Sequence, residues 1–167
     1  YAAVERVFAR IFKEIKGIDL ALPLPRMPWI EAMERFGSDK PDTRFGMELI
    51  NLTDKLGHTG FVVFDSAIEA GDRVEAVNAR GLGGMTRKQI DGLCNEVEVQ
   101  SGNKAYWFRY DESGAIVGGI AKFVQPIAEQ VISALGLEKG CFVGLTCGEK
   151  LAAQKTAGVF RNKLGAF

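Results

Sequence analysis

A quarter of the way along this 167-residue chain, Pro41 stands among Arg35, Gly37, Asp39, Lys40, Asp42 and Arg44. This stretch most constrains what the chain can fold into. Pro41 removes a backbone donor and fixes one dihedral, so no helix or central strand runs through it. Gly37 stands where a helix C-terminus takes a left-handed residue, and Ser38 and Asp39 can bond back onto free amides of a turn. Before the break the apolar spacing is helical; after it, strand and helix signals alternate. By its chemistry alone the stretch is a surface turn held by local ion pairs, Asp39 with Arg44 or Asp42 with Lys40, each worth ~0–1 kcal/mol.

The helical opening is Ala2–Lys16, where Val4, Phe8, Ile11, Phe12 and Ile15 form one stripe and Gly17 ends it. With a Pro-rich link, Leu22–Arg26, and a short helix Pro28–Phe36, it has too few elements to enclose a core. Phe8, Phe12, Trp29 and Phe36 are therefore expected to be partly exposed, as in a piece of a larger domain. Length and composition otherwise suit one domain or one plus a fragment, with 47% hydrophobic and 25% charged residues. Lys plus Arg and Asp plus Glu both total 21, so no global field draws in nucleic acid, and any such partner must meet a local patch. No apolar run is long enough for a membrane span and no secretory leader is present, so a cytoplasmic location without membrane contact is expected. Cys94, Cys141 and Cys147 lack paired spacing and read as reduced thiols.

After the charged turn, Leu52–Leu56 predicts one helical turn, and Phe61–Phe64 a short apolar strand. Arg73–Arg80 alternates as a half-buried strand, with Val74 and Ala76 on one face and Arg73, Glu75 and Val77 on the other. Thr86 and Gln89 form a capping box ahead of Ile90, Leu93, Cys94 and Val97, which predicts a helix to about Gln100. The glycines at 81, 83 and 84 leading into that helix could cradle a phosphate, with Arg87 and Lys88 adding charge, but the spacing lacks GxGxxG and fits a plain connection better. Lys104–Asp111 alternates aromatic residues, more as cross-strand packing than as a base-stacking surface. Strand signals at 115–123 and 140–147 and helices at 126–135 and 149–164 complete the pattern. The result is α+β, a two-layer sandwich with a mainly antiparallel sheet and helices on one face. Lys150, Lys155, Arg161 and Lys163 read as the solvated side of the last helix.

Chemistry is sparse. The single histidine, His58, lies in a Gly-His-Thr-Gly turn and reads as a solvated loop residue. No Ser/His or Cys/His couple and no carboxylate pair with magnesium spacing occurs. Gly148-Glu-Lys150 fails as a P-loop because the spacing and the following hydroxyl are wrong.

The segment Met27–Met47, PWIEAMERFGSDKPDTRFGM with its preceding Met, resembles bacterial-type aspartyl-tRNA synthetases at the close of the first part of their class II catalytic domain. Arg87-Lys88-x-Ile90, the Ala-Lys-Phe run ending at Phe123, and Phe160-Arg-Asn-Lys-Leu-Gly165 extend the resemblance through the inserted GAD domain to the segment that returns to the catalytic domain. It implies a piece of the catalytic domain over 1–50, a GAD insertion over 51–148 and a returning helix over 149–167. It implies a parent enzyme that is a homodimer and uses ATP and Mg2+ to attach aspartate to tRNA. The arginine-bearing activation motifs of that class are missing, so no catalytic or cofactor-binding residue is expected in this chain. Lys40, Arg44, Arg87 and Lys88 are the candidate tRNA contacts. A GAD-bearing subunit of a tRNA-dependent amidotransferase and a protein-interaction module that docks through Phe8 and Phe12 are the alternatives.

Overall fold

In the computed structural model, which describes residues 1–167, five antiparallel strands form one sheet between two separate apolar cores. The chain opens with α1 (Ala2–Lys16) and α2 (Trp29–Phe36), then enters β1 (Leu49–Asn51), α3 (Thr53–Leu56) and α4 (Val62–Glu69). It continues through β2 (Arg73–Ala79), α5 (Arg87–Ser101), β3 (Tyr106–Tyr110), β4 (Ile116–Val117), α6 (Ala121–Val124), α7 (Ala128–Leu135), β5 (Cys141–Gly148) and α8 (Lys150–Leu164). The strand order is β1-β2-β5-β3-β4, with Val77 opposite Gly144 and Phe108 opposite Val143 at the centre.

The α+β class with an antiparallel sheet follows from the alternation of the strands. The long helices α5 and α8 cover one face, burying Ile90, Leu93, Val97, Ala157, Phe160 and Leu164 against Val77, Trp107 and Phe142. Gly144 has no side chain because Phe160 lies across it; a Cβ there would stand 2.6 Å from the ring. The helices are not confined to one face as expected: the other is closed by the short helices α3, α4, α6 and α7, through Leu56, Phe64, Val124 and Leu135. β2 is therefore buried on both faces and not half-buried, since its Val74 and Ala76 enter one core and its Val77 and Ala79 the other.

Three further expectations change. Phe61–Phe64 is not a strand but the entry to α4. An apolar run of four residues does not distinguish strand from helix, and here Phe61, Phe64 and Ile68 share one helical face while the Asp65 carboxylate accepts the Thr59 and Gly60 amides at 3.1 and 3.0 Å. Phe61 and Phe64 then pack edge-on against Tyr106, at 5.3 and 5.2 Å. The strand expected over 115–123 ends at Val117, because Gly118 and Gly119 turn beneath Trp107 with φ of 76° and 47°. A Cβ on Gly119 would lie 1.8 Å from the Trp107 carbonyl. Phe36, expected to be partly exposed, is 5% exposed beneath α8, whereas Phe8, Phe12 and Trp29 are exposed as expected.

α1 buries none of its side chains. Its stripe of Val4, Val7, Phe8, Ile11, Phe12 and Ile15 lies open. By contrast α2 is bound into the body: Glu34 pairs with Arg73 of β2 at 3.1 Å and with Lys150 of α8 at 2.5 Å. No helix is long and apolar enough to cross a membrane.

Below this ion pair lies Glu75, 2% exposed. Burial pushes its carboxyl up to about 6, with Arg73 at 3.5 Å pulling the other way. The folded protein thus holds this proton more tightly than the unfolded chain, whose glutamates titrate near 4.5. The stability it contributes is complete below that value and is lost as pH rises through 6, a change of about 2 kcal/mol. Glu75→Gln is expected to match the parent protein near pH 4.5 in urea unfolding and to exceed it by about 2 kcal/mol at pH 7.5. A gap between the two that fails to widen with pH contradicts this account.

Candidate nucleic-acid interface

The charged turn begins where α2 stops. Gly37 caps the helix with φ 65°, and its amide donates to the Met33 carbonyl. The chain here lies directly on α8: a Cβ on Gly37 would stand 2.0 Å from the Gln154 carbonyl oxygen, and one on Gly158 2.5 Å from the Gly37 oxygen. Two glycines let the backbones touch, which sets where the turn starts. Ser38 Oγ then accepts the Lys40 amide at 3.1 Å.

The ion pairs differ from those expected. Neither the pair of Asp39 with Arg44 nor that of Asp42 with Lys40 forms; the Asp42 carboxylate accepts the Arg44 amide at 3.0 Å, Nε at 2.9 Å and Nη2 at 2.5 Å. The Arg44 guanidinium holds the Asp42 carboxyl down to about 2. Two residues apart, these groups close a ring with the backbone that Lys40 cannot form across Pro41. Arg35 joins the two ends of the turn, donating to Glu31 at 2.6 Å and to Glu48 at 3.0 and 2.6 Å. That bond keeps the Glu48 carboxyl below its ordinary range.

Beneath the turn sits Arg161, expected on the solvated side of α8 and in fact 0% exposed. Its Nη2 lies 2.7, 3.1 and 2.9 Å from the carbonyl oxygens of Asp42, Phe45 and Gly46, and its Nε donates to Met47 at 2.9 Å. The Phe36 and Phe45 rings flank the guanidinium at 4.8 and 4.3 Å. Burial lowers its proton affinity, while Asp42 and Glu48 oppose that shift from a distance. A signal for this residue was present in the sequence: Ala157, Phe160, Arg161 and Leu164 fall at the i, i+3, i+4, i+7 spacing of a buried stripe.

The four candidate cations do not stand alike. Lys40 is exposed and has no anionic partner, whereas Arg44 is 87% exposed and held by Asp42. These two line a shallow depression of about 350 Å³ with Asn162 and Ala166. Lys88 lines a second, of about 440 Å³, with Lys163 and the same Ala166. Lys40, Arg44 and Lys88 therefore rim the C-terminal turn of α8 from two sides. Arg87 is set apart, paired with Asp91 at 2.8 Å and resting over the Trp107 ring at 5.4 Å.

The glycine turn before α5 is built for packing. The Gly83 amide donates to the Gly140 carbonyl at 2.8 Å, and a Cβ on Gly83 would lie 2.7 Å from that same group. The capping box takes up the Thr86 and Gln89 amides at the helix start. A cleft of about 570 Å³ is mostly apolar, and Glu48 and Arg80 are its only charged lining residues. No three His, Cys, Asp or Glu side chains are grouped so as to hold a metal ion. His58 is an exposed turn residue with φ 60°.

The chain is similar to known proteins along nearly its whole length. The model of the GAD domain matches residues 64–157. The aspartate–tRNA ligase of Halalkalibacterium halodurans is 42% identical over 163 residues, 96% of this chain and 27% of that protein. The aspartate–tRNA(Asp/Asn) ligase of Anoxybacillus flavithermus is 38% identical over 98% of the chain and 28% of its own length. The aspartate–tRNA ligase of Exiguobacterium sibiricum is 38% identical over 99% and 28%. The chain thus spans little more than a quarter of the length of these curated relatives. With β2 to β5 and the first half of α8 inside the matched residues, the chain belongs to the GAD domain family.

Proposed function

We propose that this chain is the insertion-domain region of an aspartate–tRNA ligase, whose whole enzyme attaches aspartate to tRNA with ATP. The observation that carries the reading is the extent of the likeness. Identity of 42% covers 96% of the chain, so it includes residues outside the GAD match at 64–157, where the charged turn lies. Residues 1–50 then belong to the catalytic domain, and the open stripe of α1 packs against the remainder of that domain, a burial worth ~1.5–3 kcal/mol for each large side chain covered. In this reading ATP and Mg2+ are held by the rest of the enzyme, along with the chemistry itself. The contribution of this region is to meet tRNA through the rim of Lys40, Arg44 and Lys88, with Arg87 beside it, and the whole enzyme acts as a homodimer.

The test is an aminoacylation assay of the full-length protein with labelled aspartate. Charging of tRNA(Asp) is the expected result, and the 167-residue chain alone is expected to charge nothing. Relatives named aspartate–tRNA ligase and aspartate–tRNA(Asp/Asn) ligase stand at similar identity, so tRNA(Asp) and tRNA(Asn) both belong in the assay. A full-length protein that charges neither tRNA with aspartate defeats the reading.

A further inference from the structure

Arg161 is permanently charged, wholly buried, and bonded to no carboxylate. Withdrawing a guanidinium from water is costly, and an apolar residue would fill the space between Phe36 and Phe45 without that cost. What an apolar residue cannot do is collect the carbonyls of Asp42, Phe45, Gly46 and Met47 around one point. Those four oxygens converge only while the chain bends sharply, with Met47 at φ 60°, a conformation that non-glycine residues seldom adopt.

We propose that Arg161 is the positioning residue of the basic rim: by fixing the backbone from Asp42 to Met47 it sets where Lys40 and Arg44 meet an RNA phosphate. The inference rests on the reading above, that this chain serves a tRNA-charging enzyme. Asp42 is held twice, its carbonyl by Arg161 and its carboxylate by Arg44. The direction of Arg44 is therefore referred to Arg161 through a single residue. Between the anchored Asp42 and Lys40 stands only Pro41, whose own φ is locked. On its other side α8 is fixed to the sheet by Ala157, Phe160 and Leu164. The rim thus takes its position from the sheet beneath α8 and not from the local ion pairs of the turn.

The experiment measures tRNA affinity of the full-length enzyme against salt concentration for the parent protein, Lys40→Ala, Arg161→Lys and the double variant. Lysine keeps the charge, but its single nitrogen cannot reach from Asp42 to Met47. Lys40→Ala is expected to weaken binding several-fold and to lower the slope of log affinity against log salt by about one. Arg161→Lys is expected to do nearly the same, and the double variant to bind no worse than either. A Lys40→Ala loss of equal size in both backgrounds would show that Arg161 serves the fold alone and overturns the proposal. So does a Lys40→Ala enzyme with unchanged affinity and slope. Because these results are read in an enzyme whose aspartate charging is measured in parallel, they are separable from failure of the ligase reading. Pro41→Gly gives an independent check that leaves every Arg161 bond in place. It is expected to fold normally and to bind tRNA as weakly as Lys40→Ala, and wild-type affinity would overturn the proposal.

Discussion

Arg161→Met is expected to lower the unfolding free energy by about 2–4 kcal/mol, among the largest effects of any single substitution outside the apolar cores. The side chain packs about as well between Phe36 and Phe45, so the loss comes from the polar side. Four carbonyls that now share a guanidinium would lose it on part-buried backbone, next to the Phe36 and Phe45 rings. Relief of the buried charge offsets part of this, which is why the figure stays below the sum of four bonds. Urea unfolding measures the size of the effect. A useful contrast lies two residues further along the same helix, where Lys163 pairs with Glu96 at 2.7 Å on the surface. Lys163→Met is expected to change stability by under about 1 kcal/mol, because an exposed pair contributes little. Equal effects at the two positions would mean that the carbonyl cluster is not what Arg161 supports.

The second large effect concerns the crossing of α2 and α8, and it turns on a sign. Judged by helix propensity alone, Gly158→Ala in the middle of α8 would stabilise the protein by about 1 kcal/mol. The crossing reverses this: the new Cβ would stand 2.5 Å from the Gly37 carbonyl oxygen and 2.9 Å from that of Phe36. These are backbone atoms that no rotamer change can move, so α2 must lift from α8. The expected result is a net destabilisation of about 1–3 kcal/mol. Gly37→Ala should cost more, roughly 3 kcal/mol or above, since it adds the strain of a left-handed φ to contacts of 2.0 Å with the Gln154 oxygen and 2.8 Å with the Gly158 amide. Thermal unfolding of both variants decides the matter, and a Gly158→Ala protein more stable than its parent would show that the crossing is loose enough to yield.

Much of the fold was legible in the residues. The capping box at Thr86 and Gln89 announced α5, and the alternation in Arg73–Arg80 and Lys104–Asp111 announced β2 and β3, because both signals depend on neighbours in the chain. Phe61–Phe64 misled because so short an apolar run carries no period. β1 escaped notice because three residues, Leu49–Asn51, become a strand only through pairing with Glu75, Ala76 and Val77. At the candidate interface the residue types were evident from the sequence, and their partners were not. Nothing local could show that Arg44 would take Asp42 while Lys40 stayed free, or that Ala166 would bring Lys40 and Lys88 to two sides of one turn.

By itself the sequence determined where the chain must break, at Gly37 and Pro41, and which helices and long strands lie on either side, because backbone dihedrals and apolar periods act over a few residues. Only the tertiary structure decided that the sheet is covered on both faces and that the charged turn rests on α8 through Gly37, Gly158 and Arg161. Arg161 and the carbonyl of Asp42 are 119 residues apart in the chain. An arginine on a helix is ordinarily a solvated charge, and it becomes a buried clamp only when folding carries distant carbonyls to it.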